Sequence, residues 1–322
     1  MDYLTNLAHE IFRQILYYAN DKTKIYALST NRSMNLLKGS FVYTDIILVD
    51  RIKHLDYFDY FTNIINCDGN IWKLPMHITH LTLDIKDLNG NTGYYFGSVT
   101  HLTFGDNFDA DISRCCLINI THLTFGDNFN QDIKRCNLPN LTHLTFGRCF
   151  DKNIRRCNLP NLTHLTLSCY FDKNISQCNF PKLHYLKLGD LFNRNISQCN
   201  FPNLKFLWLG DLFDQDISQC QFPNLTHLIL CESYNQNISG CNFPNLKFLL
   251  LGSLFDQDIS QCNFPNLEDL ALGELFDQDI SQCNFPNLTH LTFSESYLKA
   301  IPQCTFPKLR HVLEVKTHYI NF

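Results

Sequence analysis

Apolar residues recur along most of this chain at a spacing that no single helix or strand explains. Ile, Val or Leu returns at one fixed interval, a period of 21 in the numbering, at Ile78, Val99, Ile120, Leu141, Leu162, Leu183, Leu204, Leu225, Leu246, Leu267, Leu288 and Leu309, without a slip. Each opens a segment of the form L-x-x-L-x-[LF], as in Leu246, Leu249 and Leu251. Alternation from the second leucine onward predicts a half-buried strand. Phe255, Ile259, Cys262 and Phe264 complete the apolar set of that coil, separated by Asp, Asn, Gln and Ser. The polar half has no helical period and predicts turns on a convex side. A single coil is too small to hold a core, so burial and strand pairing must come from stacking the repeats. With ~4.8 Å between neighbouring strands, the twelve coils predict a ladder roughly 50–55 Å long.

Other residues keep a fixed phase within the repeat. Proline recurs just before the predicted strand, from Pro139 to Pro307, where its missing N–H costs no ladder bond. Glycine follows the strand at Gly105, Gly126, Gly147, Gly189 and Gly210, which suits a turn needing positive φ. Ten of the 15 cysteines keep the same interval, from Cys115 to Cys304. A free cysteine is a small, readily buried side chain, so the economical reading is a stacked core ladder. No C-x-x-C pair supports a zinc site, and no metal or cofactor is predicted. A D/N-x-D/N pattern (Asp109 and Asp111, Asp214 and Asp216, Asp256 and Asp258) is open to a calcium reading. Many copies carry Asn153, Asn174, Asn195 or Asn237 instead, so Asx side chains closing turns are preferred.

The L-x-x-L-x-L core at this period resembles the leucine-rich repeat. The Asn-Phe/Leu-Pro-Asn-Leu junction and the Phe/Ile/Cys spacing, as in FPNLTHLILCESYNQNISGCN from Phe222 to Asn242, are similar to the FNIP repeat. FNIP repeats are known from slime moulds and from giant DNA viruses of amoebae. The resemblance implies an α/β repeat solenoid over 78–322: a leucine-rich-repeat-like parallel β ladder with a mostly non-helical convex side. After Leu309, Glu314 takes the place of the third core leucine, as expected of a terminal cap.

Residues before the repeats obey a different rule. Leu7, Ile11 and Ile15 recur every four residues beside Phe12 and Leu16, a helical stripe. Asp21 is placed to cap a second helix carrying Ile25 and Leu28, and Met34, Leu36 and Leu37 suggest a third. The string Leu4-x-x-Leu7-Ala8-x-Glu10-Ile11-x-x-x-Ile15-Leu16, followed by Leu28-Ser29-x-Asn31-Arg32, resembles an F-box, with Leu7-Ala8 where family members usually have Leu-Pro. That resemblance covers 1–40 and implies a three-helix module docking on a Skp-type adaptor of a cullin–RING ubiquitin ligase. Leu4, Leu7, Ile11, Ile15 and Leu28 would then supply the apolar contacts. A plain amphipathic cap for the first coil is the other reading. Separation favours the F-box, because Leu37 stands far from the first repeat strand at His80, which a cap would be expected to abut. Residues 41–77 read as a connector or degenerate coils, with YTDIILVD as a strand.

Strand residues between the core leucines point to the concave surface. The first five coils place His and Thr there: His80/Thr82, His101/Thr103, His122/Thr124, His143/Thr145 and His164/Thr166. A stacked His column could hold metal, although a polar cross-strand ladder is the commoner use of such a repeat. The rule then breaks at Tyr185/Lys187, Phe206/Trp208, His227/Ile229, Phe248/Leu250 and Asp269/Ala271, while the core positions do not change. Tyr185, Lys187, Phe206, Trp208, Ile229, Phe248 and Leu250 are therefore the predicted partner-binding patch. A basic group (Lys134, Arg135, Arg148, Lys152, Arg155 and Arg156) is expected to be a solvated convex face.

Composition narrows the function. The 322 residues are 45 % hydrophobic, ample for a folded core, and the net charge of −5 argues against general nucleic-acid or membrane-surface binding. No apolar run reaches the ~18–20 residues of a membrane span, and MDYLTNLAHE is not a secretory signal. An intracellular protein is expected, cytoplasmic in its host cell if viral. No G-x-S-x-G, HExxH or P-loop motif occurs. The sequence thus predicts a non-enzymatic receptor joining an unknown target protein to a ligase adaptor, or an interaction or decoy protein with no ligase link.

Overall fold

The computed structural model describes residues 3–30, 32–67, 74–88, 94–297, 299 and 306–315, with side chains described from residue 10 to residue 314. Fourteen parallel strands form one sheet in strict chain order among these residues. They are β1 (Ile47–Leu48), β2 (Asn63–Asn66), β3 (His80–Leu83), β4 (His101–Phe104), β5 (His122–Thr124), β6 (His143–Thr145) and β7 (His164–Thr166). The series continues with β8 (Tyr185–Lys187), β9 (Phe206–Trp208), β10 (His227–Ile229), β11 (Phe248–Leu250), β12 (Asp269–Ala271), β13 (His290–Ser294) and β14 (His311–Val315). From β3 onward every register step is one full repeat, as in His80↔His101 and Tyr185↔Phe206. The middle leucine of each three-residue strand is buried, which is what alternation in the sequence demands.

The core is a set of columns. Phe129, Phe150, Phe171, Phe192, Phe213, Tyr234, Phe255 and Phe276 stack with ring centroids 6.1–6.3 Å apart. Polar columns bind coil to coil. Asn161, Asn203, Asn224 and Asn245 each donate Nδ2 to the carbonyl of the preceding coil's proline, at 2.7–2.8 Å. The D/N-x-D/N motif is spent the same way. Its first member accepts the N–H of its counterpart in the next coil (Asp109 from Asn130, 2.8 Å; Asp256 from Asp277, 2.9 Å). Its second member closes an Asx turn onto the N–H two residues on (Asp216 from Ser218, 2.7 Å).

Glycine after the strand does a different job from the one its position suggests. The only described glycine with positive φ is Gly97 (57°). At Gly189, Gly210, Gly252 and Gly273 an added Cβ would overlap the carbonyl oxygen of the preceding coil. At these four positions two backbones pass too closely for a side chain. Asp84, Ser168, Cys231, Ser294 and Val315 stand at the same phase in other coils. There the Ser168 hydroxyl donates to the Phe150 carbonyl, and the Cys231 thiol accepts from the Trp208 indole at 2.9 Å.

The first coils are shorter than the repeat. Ile47↔Ile64 and Ile64↔Leu81 both fall short of the regular step, and the sheet begins at Ile47, well before the periodic region. Four helices accompany these coils: α1 (Tyr3–Tyr17), α2 (Asp21–Leu28), α3 (Arg32–Asn35) and α4 (Val49–Ile52), with a 3₁₀ turn over Leu36–Ser40. The expected gap between helical module and sheet does not exist. Leu16 and Leu28 share one core with Phe41, Tyr43, Ile52 and Phe61, and Lys24 Nζ donates to the Val42 carbonyl at 3.2 Å. Asn20, not Asp21, caps α2 by accepting from Thr23 N at 2.8 Å. Asp21 lies inside the first turn, buried, paired with Lys24 at 3.2 Å and accepting the Asp45 N–H at 2.6 Å. At the other end β14 carries Val312 and Leu313 largely exposed, with Glu314 opposite the half-buried Phe293.

Candidate functional site

A column of stacked rings runs along the sheet's outer face from His80 to Phe248 and is broken at Asp269. His80, His101, His122, His143 and His164 stack at 4.0–4.1 Å, within 10–19° of parallel. Each is set by the threonine before it. Thr121 Oγ1 donates to the Thr100 carbonyl at 3.1 Å and lies 2.9 Å from His122 Nδ1. A hydroxyl has one proton, so Nδ1 must carry the hydrogen of this second bond, leaving Nε2 as the acceptor nitrogen. Burial, then the neighbouring rings, pushes His122 down to about 4, and His101, His143 and His164 are also lowered by burial first. These four rings are neutral at pH 7. Beside it, between the Thr and Asn columns, runs an open groove of about 490 Å³ from Ser98 to Lys182.

Tyr185, Phe206, His227 and Phe248 continue the same stack at 4.7–5.9 Å. Their faces are covered by one another, so a partner on this side meets ring edges. Tyr185, Lys187, Phe206, Trp208, Phe248 and Leu250 are all half-buried. Ile229 does not belong to the surface. It is only 9 % exposed, because it pairs in register with Trp208 on one side and Leu250 on the other, and both cover it. Lys187 Nζ sits 3.7 Å from the Trp208 ring centroid, a cation on an indole face. Trp208 Nε1 in turn donates to Cys231 Sγ.

A further exposed apolar feature of the repeats lies one turn beyond the strands and is not apparent along the sequence. Tyr170, Leu191, Leu212, Leu254 and Leu275 occupy one column, each 42–56 % exposed. Every one precedes a buried ring (Phe171, Phe192, Phe213, Phe255, Phe276), so along the chain they look like core. Only the column, read from coil to coil, separates them. Immediately before four of the positions in this column stand Asp190, Asp211, Glu232 and Glu274.

The N-terminal residues divide. Leu28 is fully buried and belongs to the core, which corrects its expected role as an adaptor contact. Ile11 and Ile15 are 50 % and 64 % exposed on α1, while Leu16 is buried and Phe12 packs on the core. The side chains of Leu4 and Leu7 lie outside the described ones. The basic group is exposed apart from the half-buried Arg155, and Lys134 is paired with Asp132. Burial pushes the thiols of Cys136, Cys178, Cys199, Cys220, Cys241, Cys262 and Cys283 up to about 12. Cys304 lies outside the described residues. Among the described residues no cluster of three or more His, Cys, Asp or Glu is arranged to hold a metal ion, and no helix is long and apolar enough to cross a membrane.

Coils of 21 residues, a parallel sheet in chain order and a leucine core define a leucine-rich-repeat-like β solenoid. Residues 118–149 match the family model of the FNIP repeat. The fold is similar to that of CroV588, a circular leucine-rich-repeat protein of the giant virus CroV, at 24 % identity and a TM-score of 0.55 over 84 % of this chain. The chain spans half the length of CroV588. An internalin of Listeria monocytogenes, InlF, is also similar, at 16 % identity and a TM-score of 0.52, over 93 % of this chain and 96 % of the internalin. No curated protein sequence matches the chain.

Proposed function

We propose that the chain is a non-catalytic protein-binding scaffold that links a target held on its solenoid to a Skp-type adaptor of a cullin–RING ubiquitin ligase. The observation that carries the adaptor half is the division of α1. One side of the helix is spent on the core through Phe12 and Leu16, while Ile11 and Ile15 remain exposed. A helix needed only as a cap has no use for a second apolar side. The target half falls to Tyr185, Lys187, Phe206, Trp208, Phe248 and Leu250 on the outer face, joined to the rim column beside them. The buried, protonated cysteines support the non-catalytic reading, since the thiolate is the nucleophile.

A second reading, an interaction or decoy protein with no ligase link, draws on the burial of Leu28 and of the Asp21–Lys24 pair, which serve as a cap does. Co-purification of the full chain with a purified Skp-type adaptor separates the two. The adaptor is expected to be retained by the wild type and lost from Ile11→Asp/Ile15→Asp at unchanged thermal stability. No retention by the wild type leaves the second reading.

A further inference from the structure

The rim column differs from the rest of the surface in three ways at once. It is apolar and exposed at Tyr170, Leu191, Leu212, Leu254 and Leu275, interrupted once by the half-buried Ser233, where earlier coils carry Asn107, Asn128 and Cys149. It is also rigid. Leu191 N donates to the Cys169 carbonyl (2.9 Å), Leu212 N to Asp190 (2.8 Å), Leu254 N to Glu232 (3.0 Å) and Leu275 N to Ser253 (2.9 Å). A partner meeting these side chains orders no loop to do so. Finally, it is acidic. Asp190, Asp211, Glu232 and Glu274 are in no ion pair among the described residues. Residues 190–279 hold twelve Asp and Glu against three Lys and Arg, a net charge of −9, while the whole chain carries −5.

From this combination we infer that the rim from Tyr170 to Leu275 is a docking ridge for a cationic amphipathic helix of a partner protein. The inference rests on the protein-binding reading above and gives the partner its chemistry. Five coil steps span about 24 Å, the length of about 16 helical residues, and the coil spacing of ~4.8 Å is close to the ~5.4 Å pitch of a helix. A leucine row beside a carboxylate row therefore fits a helix with an apolar stripe beside a Lys/Arg stripe, one turn to each coil. The molecule already holds one cation at the border of this surface, Lys187 on the Trp208 indole. The competing occupant is a second copy, whose residues 99–189 hold ten Lys and Arg against seven Asp and Glu.

The test uses the full chain and a labelled synthetic peptide of about 18 residues, with Leu on one helical side and Lys on the other, followed by fluorescence anisotropy. Two controls are the same peptide with Glu for Lys and a scrambled peptide of the same composition. The amphipathic Lys peptide is expected to bind and to weaken with salt, and the controls are not. Leu191→Ser/Leu212→Ser and, separately, Asp190→Asn/Asp211→Asn should each weaken it by about tenfold or more. Equal binding of the scrambled peptide, or undiminished binding to the leucine variant, overturns the ridge. So does a wild-type dimer in sedimentation that the leucine variant makes monomeric, since the occupant is then a second copy. Adaptor capture through Ile11 and Ile15, read in parallel, is untouched by these substitutions, so either reading can fail without the other.

Discussion

Residues 99–189 and 190–279 are built from the same repeat and share one core, yet they present opposite surfaces. The first stretch carries a net charge of +3, stacked His and Thr on the sheet's outer face, and Asn107 and Asn128 on the rim. The second carries −9, with Phe206, Trp208 and Phe248 outside and Leu191, Leu212, Leu254 and Leu275 on the rim. Between them the buried leucines and the Asx bonds do not change, and the ring column departs from phenylalanine only at Tyr234. A solenoid separates its duties by column. Positions that join coil to coil are held by the geometry of stacking, and those facing water are free to differ. The difference between the stretches is therefore a difference of surface, so substitutions in the shared columns should act alike wherever local packing is alike.

The sharpest break with that rule is expected at the glycines. At Gly189 an added Cβ would overlap the Ser168 carbonyl oxygen, a backbone atom fixed in its own coil. At Gly105 the nearest atom is the Asp84 side-chain Oδ1 at 2.5 Å, which can swing away, and the nearest backbone atom, the Asp84 Cα, lies at 3.0 Å. Gly189→Ala should cost about 3 kcal/mol and Gly105→Ala about 1 kcal/mol, read from the midpoints of urea unfolding. Equal or negligible losses would remove close backbone approach as the reason for the column.

How far the sequence carried this picture depends on how local each cause is. Period and alternation are local, so the register, the buried leucines and the Asx turns could all be read in advance. The strand at Ile47 could be read from YTDIILVD, but the strand at Ile64 and the shortened step between these coils could not, because they lack the polar turn set that marks the repeat. Glycine satisfies either a positive φ or a close approach, and only the neighbouring coil distinguishes them. Ile229 occupies an outward position, but its burial depends on the bulk of Trp208 and Leu250, each a whole coil away along the chain. The rim leucines were hidden by their neighbours, since Leu-Phe read along the chain is indistinguishable from core. Read down the column from Tyr170, they stand out.

A pH series should separate the two stretches next. His101, His122, His143 and His164 all titrate below the ordinary value of 6.5, His122 at about 4. The unfolded chain takes up protons from about pH 6.5 downward, whereas these four folded rings take them up only at lower pH, His122 at about 4. Stability is thus full above pH 6.5 and falls as the pH drops through that window, by roughly 2 kcal/mol once solvent screening of these half-exposed rings is allowed for. The aspartates that close Asx turns, Asp111, Asp216, Asp258 and Asp279, are lowered from 3.8 by those hydrogen bonds and lose their contribution only beneath the window. Thermal melting at pH 7, 5.5 and 4.5 should show the fall, and His122→Phe should flatten it while keeping a ring in the stack. A Tyr185→His substitution, which extends the histidine column by one coil beyond His164, should steepen it. A wild-type melting temperature constant across the window would refute the neutral-stack account.

The smallest effect is expected where the shared ring column departs from phenylalanine. Tyr234 is fully buried between Phe213 and Phe255, at 6.1 and 6.2 Å, and its hydroxyl has no hydrogen-bond partner. Burial pushes its ionisation far above the ordinary tyrosine range. Phe129, Phe150 and Phe171 fill the same place in the first stretch without that hydroxyl. Tyr234→Phe keeps the ring and deletes only the desolvated O–H, so it should raise stability by about 1 kcal/mol. Tyr297 is the control, because its hydroxyl donates to the Gln278 carbonyl at 3.2 Å. Tyr297→Phe should lose up to about 1 kcal/mol, the net worth of such a bond. Opposite signs for two identical deletions in one column, read from urea midpoints, would show that partnership decides the outcome. A loss at Tyr234 would mean that its hydroxyl is satisfied by an ordered water, and the two stretches would then differ in their core as well as on their surface.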